Sequence, residues 1–277
     1  MMPFAPCIVT AGIFLLLATV SAERTATRQL AQKAREGDPR AIYHLAALHD
    51  IGYDSIPVDS ARSTALYRLA AEKGYTPAQT YLGFRYFKGE FVRQNADSAL
   101  YWLNKAADAG DAGAANNLGY LYAAGEFGET DYVQARKWFE KAAAANIHTA
   151  EAQLADLYTL GLGGAHDSIA AGELYTRAVI GGIHDAEYKL ISLEEEKWKE
   201  LPADSLLKKG EMFNSRNRGL SVAAVLFKAA ADKGNAEAML HLGEAYARGK
   251  GVPYDHDLSI EYYLRAALGG NKEAESV

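Results

Sequence analysis

Small and apolar side chains recur along this chain at steps of four, and the whole pattern returns at intervals of 36 residues. With Gly37, Gly74, Gly110, Asn146, Gly182, Gly234 and Gly270 as phase markers, the intervals are 37, 36, 36, 36, 52 and 36. Four residues after each marker stands an alanine: Ala41, Ala78, Ala114, Ala150, Ala186, Ala238 and Ala274. Eight residues after the first six stands a leucine: Leu45, Leu82, Leu118, Leu154, Leu190 and Leu242. Tyr86, Tyr122, Tyr158 and Tyr246 follow at twelve, and Gly52, Gly89, Gly125, Gly161 and Gly249 at fifteen. Steps of four place these residues along one face of a helix. The glycine at fifteen falls where such a helix must stop.

A second set of columns is fixed by counting back from the next marker. Asp59, Asn95, Asp131, Asp167, Gly219 and Asp255 stand fifteen before it, and Ala70, Ala106, Ala142, Ala178, Ala230 and Ala266 four before it. Between them lies an apolar or aromatic pair, such as Trp138 and Phe139 or Tyr262 and Tyr263. Asp and Asn fit the N-cap of a second helix, whose first N–H groups need an acceptor. Each unit therefore reads helix A, loop, helix B, turn. One such pair cannot bury its apolar face alone, so the units must stack into an all-α solenoid.

The pattern fails once. In the 52-residue interval from Gly182 to Gly234 the glycine and tyrosine columns vanish after Leu190, and Pro202 ends or kinks the helix. Two arrangements fit. Either Ala203–Phe213 is an extra helix, or it replaces a worn helix A and the helix over 184–199 is the extra one. The irregular unit is expected at about 191–219. At the front, Thr27–Glu36 resembles a worn helix B, so residues 23–36 are expected to form an N-terminal capping helix. At the back, the chain enters a new unit at Gly270 and Ala274 and reaches Val277. Tyr262, Tyr263 and Leu268 are therefore expected to lie at an uncapped end that could self-associate.

The run Ala238-Met-Leu-His-Leu-Gly-Glu-Ala-Tyr-Ala-Arg-Gly249, followed by Gly251-Val252 and Asp255, carries a recognisable motif. It resembles the Sel-one-like repeat (SLR), a relative of the tetratricopeptide repeat (TPR), over about residues 37–271, so that 37–277 are expected to form one solenoid with the irregular unit inside it. The resemblance implies a right-handed α-α superhelical solenoid of about six helix-pair repeats. It further implies adaptor or scaffold work rather than catalysis, with a protein or peptide as partner. By analogy with related solenoids, helix A lines the concave face. The positions seven and ten residues after the markers would then floor the groove, and the candidate partner-binding residues are His44, Tyr81, Phe84, Asn117, Tyr120, Gln153, Asp156 and His241.

Composition narrows the field. The formal net charge of −6, with both signs scattered, leaves no basic stripe for nucleic acid. From Pro3 to Ala22 there is no charge, and the run ends in Val20-Ser21-Ala22, a small-residue cleavage pattern. Residues 1–22 are expected to be a cleaved signal peptide and the protein secreted, periplasmic or otherwise exported. The rival is an N-terminal membrane anchor, since about 20 uncharged residues can span a bilayer. The one cysteine, Cys7, lies inside this leader, so cleavage leaves a chain without thiol chemistry.

Chemistry is sparse. Ser205-Leu206-Leu207-Lys208 matches S-x-x-K and Ser215-Arg216-Asn217 mimics its companion motif, but the third motif of penicillin-recognising enzymes is absent. None of the seven histidines forms a His pair with ligand spacing, and no cofactor or metal is implied. The alternative to a scaffold is small-ligand binding or enzymatic activity centred on segment 191–219.

Overall fold

The computed structural model describes residues 20–276 apart from 54, 55, 126 and 127, with residues 20–25 described by their backbone alone. The described residues form α1 (Val20–Arg35), α2 (Pro39–Ile51), α3 (Ser60–Glu72), α4 (Thr76–Lys88), α5 (Ala96–Asp108), α6 (Ala112–Ala124) and α7 (Tyr132–Ala144). They continue as α8 (His148–Leu160), α9 (Ser168–Ile180), α10 (Asp185–Lys199), α11 (Ala203–Asn214), α12 (Leu220–Asp232), α13 (Ala236–Arg248) and α14 (His256–Leu268). α1 takes in residues 23–35 of the expected capping helix over 23–36. The expected leader, residues 1–22, lies outside the described residues except for the backbone start of α1. No described helix is long and apolar enough to cross a membrane.

The chain forms two compact units, one through Ile147 and one from His148 onward. In the first, α2 pairs with α3, α4 with α5 and α6 with α7, and α1, α3 and α5 each pack on the A helix that follows. In the second, α8 pairs with α9, α11 with α12 and α13 with α14. The architecture is an all-α solenoid fold of consecutive helix pairs.

The helix ends follow from the residues expected there. Asp59, Asn95, Asp131, Asp167 and Asp255 each accept a first-turn N–H of a B helix through the side chain. Gly219 caps α12 with no side-chain bond. Every phase marker adopts positive φ, including Asn146 at 60°. Asn tolerates this left-handed turn better than other side chains, which is how it substitutes for the glycine of the other units.

The columns are the core. The seven alanines four after the markers are all buried, and so are the leucines at eight except Leu45, which is half-buried. Nine after the markers, glycine lets the B helix lie directly on the A helix. A methyl group on Gly83 would stand 2.7 Å from Leu103 Cγ, on Gly119 2.5 Å from Phe139 Cδ1, and on Gly243 2.7 Å from Tyr263 Cδ1. In each case the partner is the residue seven before the next marker.

This contact settles the irregular unit. Gly210 of α11 meets Phe227 Cε1 in the same way, at 2.6 Å, and Phe227 is the corresponding residue of α12. α11 therefore takes the place of helix A against its B helix, with Leu206 and Phe213 buried beneath it. α10 keeps the other half of the task. It packs on the preceding B helix, α9, with Ala186 and Leu190 buried, and also touches α12. The helix over 184–199 is thus the supernumerary one with respect to α12.

At the far end, the expected open aromatic is covered. Tyr262 is buried and stacks on Tyr246 with ring centroids 5.7 Å apart. The short turn Ala274–Ser276 packs on α14 and buries Ala274, while Leu264 and Leu268 remain exposed.

Candidate functional site

Helix A buries the residues four and eight after its marker, so those at seven and ten flank the buried stripe. In the first unit this row is His44 on α2, Tyr81 and Phe84 on α4, and Asn117 and Tyr120 on α6. His44 is exposed; the other four are half-buried. Their rings are held. Tyr81 tilts on Tyr67 at 4.4 Å, Tyr120 stands edge-on to Phe139 at 5.2 Å, and Phe84 lies 6.5 Å from Phe87. Tyr81 also donates its hydroxyl hydrogen to Asp50 Oδ2 at 3.3 Å. Burial raises the Tyr81 phenol above its usual range, against the opposing charge of Arg85.

Beneath Tyr81 lies a group that column-reading misses. Arg85 is fully buried. It donates to both Asp50 carboxylate oxygens, at 2.5 and 2.6 Å, and to Thr64 Oγ1 at 2.7 Å. Its guanidinium also lies over the rings of Tyr67, Tyr81 and Phe91 at 4.8, 4.9 and 5.0 Å. A buried charge needs such partners, and here they come from α2, α3, α4 and the loop that follows α4. Arg85 therefore fixes three helices and the aromatic row above them. The signal in the sequence was an arginine eleven after its marker, where Leu48, Leu121, Leu157 and Leu193 stand in other units, with an aspartate one unit earlier.

In the second unit Gln153 and Asp156 lie on α8 and His241 on α13, all half-buried. Asp156 accepts from Tyr175 Oη at 2.6 Å and from Lys189 Nζ at 2.9 Å. Burial works against the Lys189 charge, but hydrogen bonds to Asp185 and Asp156 hold its ammonium above the ordinary range. His241 stacks on Phe227 at 4.7 Å. Two glutamates five after their markers are also buried. Glu151 pairs with His148 and Arg177, and Glu187 pairs with His184 and accepts the Ser221 N–H at 3.2 Å.

The irregular unit opens a second candidate site. Because α10 and α11 divide one helix's work, a cleft of about 670 Å³ remains among α9, α10, α11 and α12. Leu190, Trp198, Phe213 and Leu226 form its apolar part, with Lys197 and Lys209 among its charged residues. Ser205 and Lys208, the S-x-x-K residues, are exposed elsewhere on α11 and do not line it.

Helix hairpins repeated at this period, with glycine-mediated A–B contacts, define a repeat solenoid. The family model for the Sel1 repeat matches residues 39–75, 76–111, 112–147, 148–182 and 236–271. These segments make up more than half of the chain, and the chain belongs to the Sel1 repeat family. The unmatched stretch between them contains α10, α11 and α12.

Among solved structures, the chain is similar to the SLR-fold protective antigen of uropathogenic Escherichia coli strains, with 30% identity and a TM-score of 0.57. That match covers 90% of this chain and 50% of the antigen, so this chain spans half the length of that relative. It is also similar to a Sel1 repeat protein of Oxalobacter formigenes, at 27% identity and a TM-score of 0.50, covering 94% of this chain and 80% of the other. No curated protein matches the chain.

Proposed function

We propose that this Sel1 repeat chain is an exported interaction scaffold that holds a peptide or protein partner on its helix-A rows. The observation that carries the reading is the fixed aromatic row of the first unit. Tyr81, Phe84 and Tyr120 stand half-buried on successive A helices, and the Arg85–Asp50 pair immobilises the first of them. A surface already ordered loses little side-chain freedom on binding, and aromatic anchors dominate binding energy where they occur. Asn117 and His44 add polar groups beside the rings. In the second unit Gln153, Asp156 and His241 hold the equivalent positions. The uncharged segment before Glu23 supports export, and N-terminal sequencing of protein from its host is expected to begin at Glu23; an intact Met1 in membranes would favour the anchor.

Site-specific photo-crosslinking tests the binding face. A photoreactive residue at Phe84 or Tyr120 is expected to trap one common partner in the native host. The same residue at Tyr101 or Val133, exposed on B helices, is expected not to. Equal trapping from both sets would place the partner elsewhere.

The cleft supports a second reading, a small amphipathic ligand with an anionic group near Lys209. Its volume lies within the range of small-molecule sites, roughly 300–1,000 Å³. Binding of anilinonaphthalene sulfonate that weakens in Lys209→Glu favours this reading; unchanged binding argues against it.

A further inference from the structure

The three-helix unit also brings metal-ligand chemistry together at a place distinct from the cleft. Glu211 on α11 and Glu237 and His241 on α13 each offer one donor atom, and the three atoms lie within 4.8 Å of one another. Glu237 and His241 are four apart, hence neighbours on one helical face. Glu211 reaches them from another helix. α11 holds the helix-A place of the irregular unit and α13 is the next A helix, so the two face each other as Asp50 and Arg85 do on α2 and α4.

The histidine is fixed more tightly than the carboxylates. Its ring stacks on Phe227 at an interplanar angle of 25°, and Phe227 is itself clamped against Gly210. Nε2 lies 3.8 Å from Glu211 Oε1 and Nδ1 lies 3.7 Å from Glu244 Oε2. Nδ1 is buried and has no hydrogen-bond partner. Nε2 thus faces Glu211, while the unpartnered Nδ1 has Glu244 just beyond hydrogen-bond reach. Glu237 and the half-exposed Glu211 side chain can adjust. Favourable placement in the first turn of α13 accounts for Glu237 alone, but not for the convergence of Glu211 and His241 on it.

We propose that Glu211, Glu237 and His241 bind one divalent transition-metal ion, with Nε2 as the nitrogen ligand and Glu244 accepting the Nδ1 proton. Imidazole with two carboxylates suits zinc and its neighbours, whereas calcium takes six to eight oxygens. Zinc bonds of roughly 2.0–2.2 Å draw three donors to roughly 3.3 Å apart, so the carboxylates close by an ångström or so around a fixed imidazole. A fourth position stays open to water. Outer carboxylates that orient a ligating histidine are a common feature of such sites. The ion would tie α11 to α13 and so lock the irregular unit to the last regular repeat.

The test uses the purified chain, free of a polyhistidine tag and stripped with EDTA, titrated calorimetrically with Zn²⁺. One ion per chain is expected, with a higher unfolding temperature and, for Co²⁺, the intense visible bands of a low-coordinate site. Glu244→Gln is expected to weaken binding roughly 10- to 100-fold, and Glu237→Gln and His241→Ala to weaken it more. His241→Ala removes a packed ring, so Glu237→Gln, on an exposed position with helicity checked by circular dichroism, is the decisive variant. A flat titration would overturn the proposal and leave a histidine between carboxylates as a plain ion-pair cluster. So would zinc affinity that Glu237→Gln leaves unchanged, or that falls equally in the exposed control Glu195→Gln.

Discussion

The regular repeats and the three-helix unit use the same contacts but assign them differently. In a regular unit one A helix does two jobs: it packs on the preceding B helix, and it receives its own B helix on a small residue, which is glycine in three units and Ala46 or Ala155 in the others. Between Gly182 and Gly234 these jobs are separated. α10 takes the first, with Ala186 and Leu190 in their ordinary columns, and α11 takes the second, with Gly210 beneath Phe227. Two helices where one normally stands cannot close the same space. The cleft beside Trp198 is the consequence. An insertion in a repeat array can therefore supply new surface without disturbing the stacking on either side.

The largest expected effect lies in the regular part. Arg85→Ala leaves Asp50 without its partner and should cost about 3–5 kcal/mol, read from urea melts. Hydrogen exchange should show the loss first in α2, α3 and α4; a loss starting in α11 or α12 would break the division between the regions. Next come paired core deletions. Leu118→Ala in α6 and Leu206→Ala in α11 both remove fully buried side chains, and each should cost about 2–5 kcal/mol. If Leu206→Ala costs much less than Leu118→Ala, α11 is an appendage rather than a core helix. At the small end, Leu268→Ser should change stability by less than about 0.5 kcal/mol, because Leu268 is 89% exposed. A larger loss in a concentrated sample, accompanied by a fall in mass by light scattering, would show that this residue holds two copies together.

Much of the fold was legible because the repeat makes the same physical demand several times over. Alanine, leucine and glycine columns mark places where every unit needs a small, an apolar or a left-handed residue, and the structure buries or turns them accordingly. What escaped was whatever solves a packing problem only once. The positions five after the markers are buried in six units, yet they read Ile42, Gln79, Ala115, Glu151, Glu187 and Met239. Where a glutamate stands there, a histidine three residues earlier partners it, a His-x-x-Glu at the same phase in two successive units. Arg85 escaped for the same reason. Tyr81 was legible as a flanking position, but not as the lid of a buried ion pair, because its partners lie on two other helices. His241 was legible as a flanking position, but its pairing with Glu237 was not, because the spacing sought was between histidines.

The division of labour between α10 and α11 is the central claim, and Gly210 tests it by the sign of one change. Glycine to alanine in an open helix stabilises by roughly 0.5–1 kcal/mol. Measured by urea unfolding, Gly210→Ala should instead destabilise, as should Gly83→Ala, Gly119→Ala and Gly243→Ala, because each methyl would meet the B helix closer than 3.0 Å. In a Phe227→Ala background the penalty at Gly210 should disappear while those at the other three glycines persist. A stabilising Gly210→Ala in the native background, or a penalty indifferent to Phe227, would contradict the account and return α11 to the status of an inserted helix outside the repeat.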